Sequence, residues 1–476
     1  MSAATQLPAP SLPSVPVPIA ELLGVVREYV DASRFDAAER LLGHILAASP
    51  RHGESLHLKG YIAFKRNRNE DAAALMEQGL AAGAAAPRQL CNLAEVYRVL
   101  GRLDEGLALI RRAQGLAPSD AVGHFNEAML RYERLETDAS MRAARRAIAL
   151  KPDLPEAHMR LGQTLLLVGD LKEGWDEYEW RYQIAGAQPL MPKSDKPQWD
   201  GRPLGAGERL LLVADQGFGD VIMFSRFLPW AIERCREVTV ATSGEMRPLL
   251  ERHFPGASYF SRWDECPPFV AYCPFSGLPR LAGTRIESIP ADIPYFRPLP
   301  DPVAAWRARL DQLVPAGRRR IAIAWAGRPT HNNDRNRTIS LDMLAPFGAL
   351  DGVALIALQK GPAVAQAAQW RGPAPLTVLD PEIRDFDDTA AILESIDLLV
   401  CVDTSLGHLA GALGRPAWVM LPYAPDWRWL MARSDSPWYP GLRLLRQPAP
   451  RAWAPLIEAV AGEIARFVAQ APSSSG

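Results

Sequence analysis

The sequence predicts a multidomain protein: an all-helical repeat array in front, then an α/β region of two similar halves with a cleft between them. Three observations carry this. The chain has 476 residues, too many for one ordinary core. Small residues recur at one fixed spacing through its first third. From Arg209 on, short apolar runs alternate with amphipathic stretches, as the strands and covering helices of a parallel sheet do.

The repeats come first. Pro50, Pro118 and Pro152 stand at multiples of 34 residues, with Ala84 in the missing slot. Ala38, Ala72, Gly106, Ser140 and Gly174 form a second series of the same period, and Val26, Gly60, Ala94, Ala128 and Gly162 a third. This is the tetratricopeptide period, in which each unit is a helix pair. The small residues let paired helices approach, and the proline follows the end of the second helix. Five units are expected, at 19–52, 53–86, 87–120, 121–154 and 155–188. Such arrays stack into a superhelix whose concave face takes a protein acceptor or partner; the other reading is a spacer or dimerisation arm. The segment "GWDEYEWRY" (Gly174 to Tyr182) is too apolar to cap the array and is expected to pack on the next domain. "PQWDGRPLGAGE" reads as a linker.

The α/β region divides at "IPYFRPLPDP" (Ile293 to Pro302), read as a hinge between halves at 200–298 and 299–470. In the first half, "RLLLVA", "EVTVAT" and "FVAYCP" read as strands, and "DVIMFSRFLPWAIERC" as one amphipathic helix. In the second, "RRRIAIAWAG", "GVALIALQKG", "DLLVCVD" and "PAWVMLP" read as strands. Ligands of open parallel sheets bind beyond the carboxyl ends of the strands. The motifs below all lie there.

Composition limits the function. Hydrophobic content of 48% and charged content of 22% fit a globular chain. A net charge of −1 argues against sequence-independent nucleic-acid binding, so an anion site must come from local groups. Cys91, Cys235, Cys266, Cys273 and Cys401 contain no CxxC pair and read as free thiols of a reducing compartment, which makes a cytoplasmic location the expectation. Residues 1–18 are proline-rich and read as a disordered tail, not a signal peptide. No apolar run approaches ~18 residues, so no transmembrane helix is expected.

The stretch "VADQGFGDVIMF" holds Gln216, Gly217, Gly219 and Asp220 in a loop between strand and helix. A dinucleotide fingerprint needs a third glycine where Ile222 stands, and an acid at the helix mouth repels a pyrophosphate. Two readings remain. Asp220 accepts a proton from an attacking hydroxyl beside glycines that admit a substrate, or it only complements the helix dipole.

"VCVDTSLGHLAGALGRP" places Asp403, Thr404, Ser405, Gly407 and His408 where a buried strand meets a helix start, a position suited to phosphate; plain capping with a core histidine is the other account. "WAGRPTHNNDRNRTIS" offers Asn332, Arg335 and Arg337, whose arginine forks match phosphate oxygens, or else forms a solvated loop. Gln359 and Lys360 follow the next strand, the lysine placed to neutralise a leaving diphosphate. Trp427 and Trp429 frame a sugar pocket or form a packed aromatic cluster between the halves. "DFDDT" (Asp385 to Thr389) has D-x-D spacing but directly precedes a helix, so it reads as an N-cap and no metal is expected.

These motifs carry a resemblance. The C-terminal part resembles glycosyltransferases of the GT-B fold, with two Rossmann-like halves and an interlobe cleft, close to the ADP-heptose:lipopolysaccharide heptosyltransferases of glycosyltransferase family 9. "DQGFGD" is similar to the family's N-terminal motif, whose Asp is taken as the base, and "DTSLGHLAGALGRP" to its D-T-x-x-x-H-L donor-phosphate motif. With "YEWR", "DIPY", "HNNDRNR", "LQKG" and "PDWRWL…DSPWYP", nearly the whole chain resembles bacterial proteins joining tetratricopeptide repeats to such a domain. Some relatives of this architecture are linked to glycosylation of proteins, flagellins included. The arginine loop and "YAPDWRWL" depart from the heptosyltransferases. The resemblance implies an inverting, metal-independent transferase with no cofactor. Asp220 would be its base, and Asp403 to His408, Gln359, Lys360, Asn332, Arg335 and Arg337 its nucleotide-sugar donor site. The acceptor would be a protein held by the repeats. The alternatives are a heptosyltransferase-like enzyme acting on a glycolipid or polysaccharide, and a repeat scaffold with an inactive transferase domain.

Overall fold

The computed structural model describes residues 17–184, 192–331 and 333–470. Most of the expected N-terminal tail and the end of the fifth expected repeat lie outside the described residues, whereas the segment read as a linker at 197–208 is described, and its last residues, from Leu204 on, belong to a strand. The chain divides into two compact units, one ending at Leu130 and the other running from Arg131. The division falls inside the fourth expected repeat and not at the linker after residue 188.

The front region is a row of tetratricopeptide-like helix pairs. These are α1 (Ile19–Asp31) with α2 (Phe35–Ala48), α3 (Gly53–Lys65) with α4 (Asn69–Ala81), α5 (Pro87–Leu100) with α6 (Leu103–Leu116), α7 (Ala121–Glu133) with α8 (Thr137–Leu150), and α9 (Pro155–Val168) with α10 (Leu171–Tyr178). The 34-residue series now have a physical cause. Val26, Ala38, Ala72, Ala94, Ala128 and Ser140 are wholly buried. A Cβ on Gly162 would stand 2.6 Å from the Tyr178 backbone nitrogen, and one on Gly60 would stand 2.8 Å from Met76 Cγ. One on Gly174 would meet Leu166 Cδ2 at 2.8 Å. The backbones touch where the small residues stand, so a side chain there would force the pair apart.

The second unit holds two all-parallel sheets. The first contains β1 (Leu204–Val213), β2 (Cys235–Ala241), β3 (Ser258–Phe260) and β4 (Ala271–Pro274) in the order β3-β2-β1-β4. The second contains β5 (Arg319–Ala324), β6 (Val353–Ala357), β7 (Leu376–Val378), β8 (Leu398–Val402), β9 (Ala417–Leu421) and β10 (Leu442–Arg446) in the order β10-β9-β8-β5-β6-β7. Counted from β5, that is the 3-2-1-4-5-6 order of the doubly wound nucleotide-binding sheet, with its switch point between β5 and β8. β6 and β8 are buried at every residue, as strands covered on both faces must be. One continuous core runs from Leu166, Trp175 and Tyr178 of the last repeat through Phe224 and Leu212 to Leu399, Trp427 and Tyr439. The tryptophan-rich end of the repeats is therefore core of the second unit.

Three elements differ from the expectation. The single helix read over 220–235 is two, Phe218–Ser225 and Leu228–Arg234. Pro229 lacks the N–H that would reach Ser225, and the Arg226 guanidinium turns inward to the Met223, Pro290 and Trp438 carbonyls. The hinge ends early, because Pro300 opens a helix to Leu313 that buries Trp306 and Leu310. A proline in the first turn suits a helix start, where no N–H is needed. The segment at 340–350, whose "SLDMLAPFGAL" reads as one helix, is a 3₁₀ turn (Leu341–Leu344) and one α turn (Ala345–Gly348). Asp385 caps the Phe386–Glu394 helix by accepting from the Asp388 N–H, which accounts for the D-x-D spacing.

The glycines supply a paired test. Gly162→Ala is expected to destabilise the second unit by about 1–3 kcal/mol through overpacking. Gly43→Ala, on the exposed side of α2 with nothing within 4 Å of its Cβ, is expected to stabilise the first by about 0.5–1 kcal/mol. Denaturant melts of both variants check it, and equal shifts would contradict it.

Candidate functional site

The strand ends of both sheets meet. β1 runs into Asp215–Gly219 and then the Phe218–Ser225 helix, with Gly217 as its N-cap and Asp220 in its first turn. β8 runs into Asp403 and the Ser405–Ala412 helix, with Thr404 as its N-cap. The two helix starts touch at Gly219, where a Cβ would lie 2.7 Å from His408 Cδ2. Glycine is needed here for closeness.

The centre of the site is Arg428, in the loop after β9. Its NH2 lies 2.5 Å from Asp220 Oδ1 and its NH1 2.7 Å from Asp426 Oδ1. NH2 also donates to Gln216 Oε1 at 3.0 Å. The guanidinium lies 4.2 Å from the Trp427 ring centroid. One cation from the second sheet is thus shared with an aspartate of the first. The Arg428 side chain is 10% exposed and that of Asp220 18%, so the aspartate can still be reached from outside.

Electrostatics follow from burial. It lifts the Asp220 carboxyl above the ordinary aspartate range, against the pull of Arg428. Asp403 is also lifted, by burial and then by the Asp426 charge, with Arg337 opposing. Burial pushes Asp426 the same way, but Arg428 overcomes it and holds Asp426 low. Burial, then the Arg428 charge, takes His408 down to about 3, so its ring is neutral. Gln216 Nε2, Arg428 Nε and the indole nitrogen of Trp427 are buried without a hydrogen-bond partner among the described residues, while the Trp429 indole faces Asp403 and the Thr404 hydroxyl faces the Cys401 thiol. Leaving such groups unpaired costs about 1–3 kcal/mol each.

Other expected site residues are committed elsewhere. Gln359 accepts from the Trp325 and Ala326 amides at 3.0 and 2.9 Å and donates to the Ala326 and Lys360 carbonyls, so it clips β5 to β6 and has nothing left for a donor sugar. Lys360 donates to the Asp380 and Ile383 carbonyls and pairs with Asp380 at 3.3 Å, which ties it to the neighbouring loop after β7. Gly407 faces Val419 and Cys401, under the helix and away from its mouth. His408 is buried, hydrogen-bonded through Nδ1 to the Tyr439 hydroxyl at 3.0 Å, with Trp429 4.9 Å from its ring. Trp427 and Trp429 are each 1% exposed. Trp427 packs edge-on to Trp175 at 5.2 Å and to Tyr178 at 5.6 Å, so the pair is an aromatic cluster and not an open sugar pocket.

The arginine loop divides. Arg335 pairs with Glu133 of α7 at 2.7 Å. Arg337 lies on Gly327, where a Cβ would be 2.6 Å from its NH2, and faces Asp403 electrostatically. Asn332 lies outside the described residues. The residues brought together are therefore Gln216, Gly217, Gly219 and Asp220 from the first sheet, with Asp403, Thr404, Ser405, Arg337, Asp426 and Arg428 from the second.

Arg428, Asp426 and Asp215 were not among the expected residues. "PDWRWL" draws attention to its tryptophans, and only an Asp-x-Arg between bulky aromatics hints at a buried ion pair. Asp215 accepts from the Ser276 amide at 3.2 Å and from the Tyr182 hydroxyl at 3.1 Å, a lock between the end of the repeats and the first sheet. Among the described residues, no group of three or more His, Cys, Asp or Glu is placed to hold a metal ion. None of their helices is long and apolar enough to cross a membrane.

Residues 26–87 and 57–121 match the tetratricopeptide repeat model. The chain is 27% identical to Protein FlbA of Caulobacter vibrioides over 470 residues, 91% of this chain and 76% of that protein. Among solved structures it is similar to MamA (17% identity, 33% of this chain and 93% of that one, TM-score 0.30). It is also similar to PilW, a type IV pilus biogenesis factor (18% identity, 35% and 78%, TM-score 0.32). A third similar structure is a thermophilic TPR protein of Thermus thermophilus (22% identity, 35% and 91%, TM-score 0.31).

The neutral His408 sets a pH test. Between its ordinary value of 6.5 and about 3, the unfolded chain binds a proton that the folded chain does not, so stability is lost as pH falls. The lifted Asp220 and Asp403 act in the opposite sense, because their folded forms protonate first. Comparing wild type with His408→Gln cancels every group but His408. From pH 6.5 to 5 the wild type is expected to lose up to about 1.4 kcal/mol per unit more than the variant in chemical denaturation. Parallel profiles would show that the ring titrates in the fold.

Proposed function

We propose that the second unit is an inverting glycosyltransferase of the GT-B type, acting without a metal on a nucleotide-sugar donor, with a protein acceptor recruited by the repeats. The observation that carries this reading is the Asp220–Arg428 pair: a reachable, lifted carboxyl from one sheet held across the switch-point end of another. Arg428 orients Oδ1. Oδ2 lies on the side of Gly217, where a Cβ would stand 3.6 Å away, so a small side chain could be tolerated beside it. Asp220 takes the proton of the acceptor hydroxyl, and that oxygen attacks the anomeric carbon on the face opposite the nucleotide. The bond to the diphosphate breaks as the new C–O bond forms, through an oxocarbenium-like state. The leaving group needs no second carboxylic acid. The unpaired donors of Gln216 and Arg428, together with Arg337, are suited to its oxygens.

The repeats support a protein acceptor, since helix-pair arrays serve mainly to hold proteins. Five free cysteines fit action in the reducing cytoplasm. One observation favours the scaffold reading instead: Gln359, Lys360 and His408, all expected to serve the donor, are bonded internally.

A panel of nucleoside-diphosphate sugars, assayed for release of the nucleoside diphosphate in the presence of cell protein, separates the two. Turnover is expected with one donor class, and Asp220→Asn should lower it at least about 10²-fold. That variant should keep the thermal shift the donor induces. No shift and no turnover with any donor would favour the scaffold.

A further inference from the structure

The strand-end loops after β1, β5 and β9, three of those that carry a charged site residue, are bonded to the end of the repeats. The Tyr132 hydroxyl, near the end of α7, donates to the Pro425 carbonyl at 3.1 Å, three residues before Arg428. Its ring lies under the Arg160 guanidinium of α9, 4.3 Å from the centroid. The next residue, Glu133, pairs with Arg335 at 2.7 Å, two residues before Arg337. Trp175 and Tyr178 of α10 pack edge-on against Trp427. Tyr182, just past α10, donates to Asp215 in the loop that leads to Asp220. A repeat array acting only as a tether would need no such set of bonds.

We propose that Tyr132 and Glu133 are positioning residues, which hold the 425–429 and 331–337 loops so that Arg428 stays on Asp220 and the end of the repeats forms a wall of the site. Its catalytic consequence rests on the glycosyl-transfer reading; the coupling itself does not. Asp220 is faced by Arg428 and Asp426 from the 425–429 loop, by Asp215 of its own loop, and by the His408 helix across Gly219. Tyr132 is faced by Arg160, Asp426, Glu133 and Arg428. If the Tyr132 bond is lost, the 425–429 turn loosens and Arg428 stabilises the Asp220 carboxylate less. The base is then protonated at higher pH.

The test uses the full chain with Tyr132→Phe, which keeps the ring under Arg160 and removes one hydroxyl, and Glu133→Gln. Tyr97→Phe is the control, since that hydroxyl serves Glu77 in the other unit. Hydrogen exchange is followed at 423–430, where Tyr423, Arg428, Trp429 and Leu430 amides are bonded. Tyr132→Phe is expected to speed exchange there about fivefold, with α1–α6 unchanged, and Glu133→Gln to do so at 333–338. Unaltered exchange in those segments overturns the proposal, whatever the activity. With a donor that turns over, the acid limb of kcat is expected to move to higher pH in Tyr132→Phe and not in Tyr97→Phe, with donor KM within about twofold. An unmoved limb with altered exchange overturns the link to Asp220. Altered exchange in a chain inactive with every donor upholds the coupling and removes the transferase reading.

Discussion

The second unit depends on one buried cation. Arg428 joins the loop after β1 to the loop after β9 and satisfies Asp220 and Asp426 together. Removing one partner of such a group leaves an uncompensated charge, at a cost of about 3–5 kcal/mol. A hydrophobic cluster of equal volume would hold the two sheets as well. What it would not supply is a partly exposed carboxyl group held by a cation from the other sheet.

Closeness of backbone is the second constraint, and the same device answers it throughout. In the repeats, Gly60, Gly162 and Gly174 let paired helices touch. At the meeting of the sheets, Gly219 does so against His408, Gly327 against Arg337, and Gly411 against Tyr439, where a Cβ would stand 2.5 Å from Cγ. His408 then has a structural part: a neutral ring filling the space beneath Gly219, tied to Tyr439. Its motif, "DTSLGH", sets the distance between two helix starts as much as it offers donors.

Much of the site was legible, for reasons of spacing. Asp220, Asp403 and Thr404 stand at strand ends, and strand ends can be read from where apolar runs stop. Gln359 and Lys360 stand at a strand end too, yet their partners are backbone carbonyls and amides of neighbouring loops, which no side-chain pattern announces. Trp427 and Trp429 could frame a pocket or pack as a cluster, and nothing in their own loop decides between the two. Their burial comes from Trp175 and Tyr178, some 250 residues earlier in the chain.

Local spacing by itself determined the helix pairs, their period of 34 and most of the parallel strands, because these follow from contacts between residues near in sequence or from alternation along one segment. It missed the Pro300–Leu313 helix, where prolines that read as a hinge instead open a helix. Only the tertiary structure decided which polar groups are free to act. Whether Arg428 meets Asp220, Glu133 meets Arg335 or Tyr132 meets Pro425 depends on how separate segments are brought together, and each of those pairs lies more than 200 residues apart in the chain.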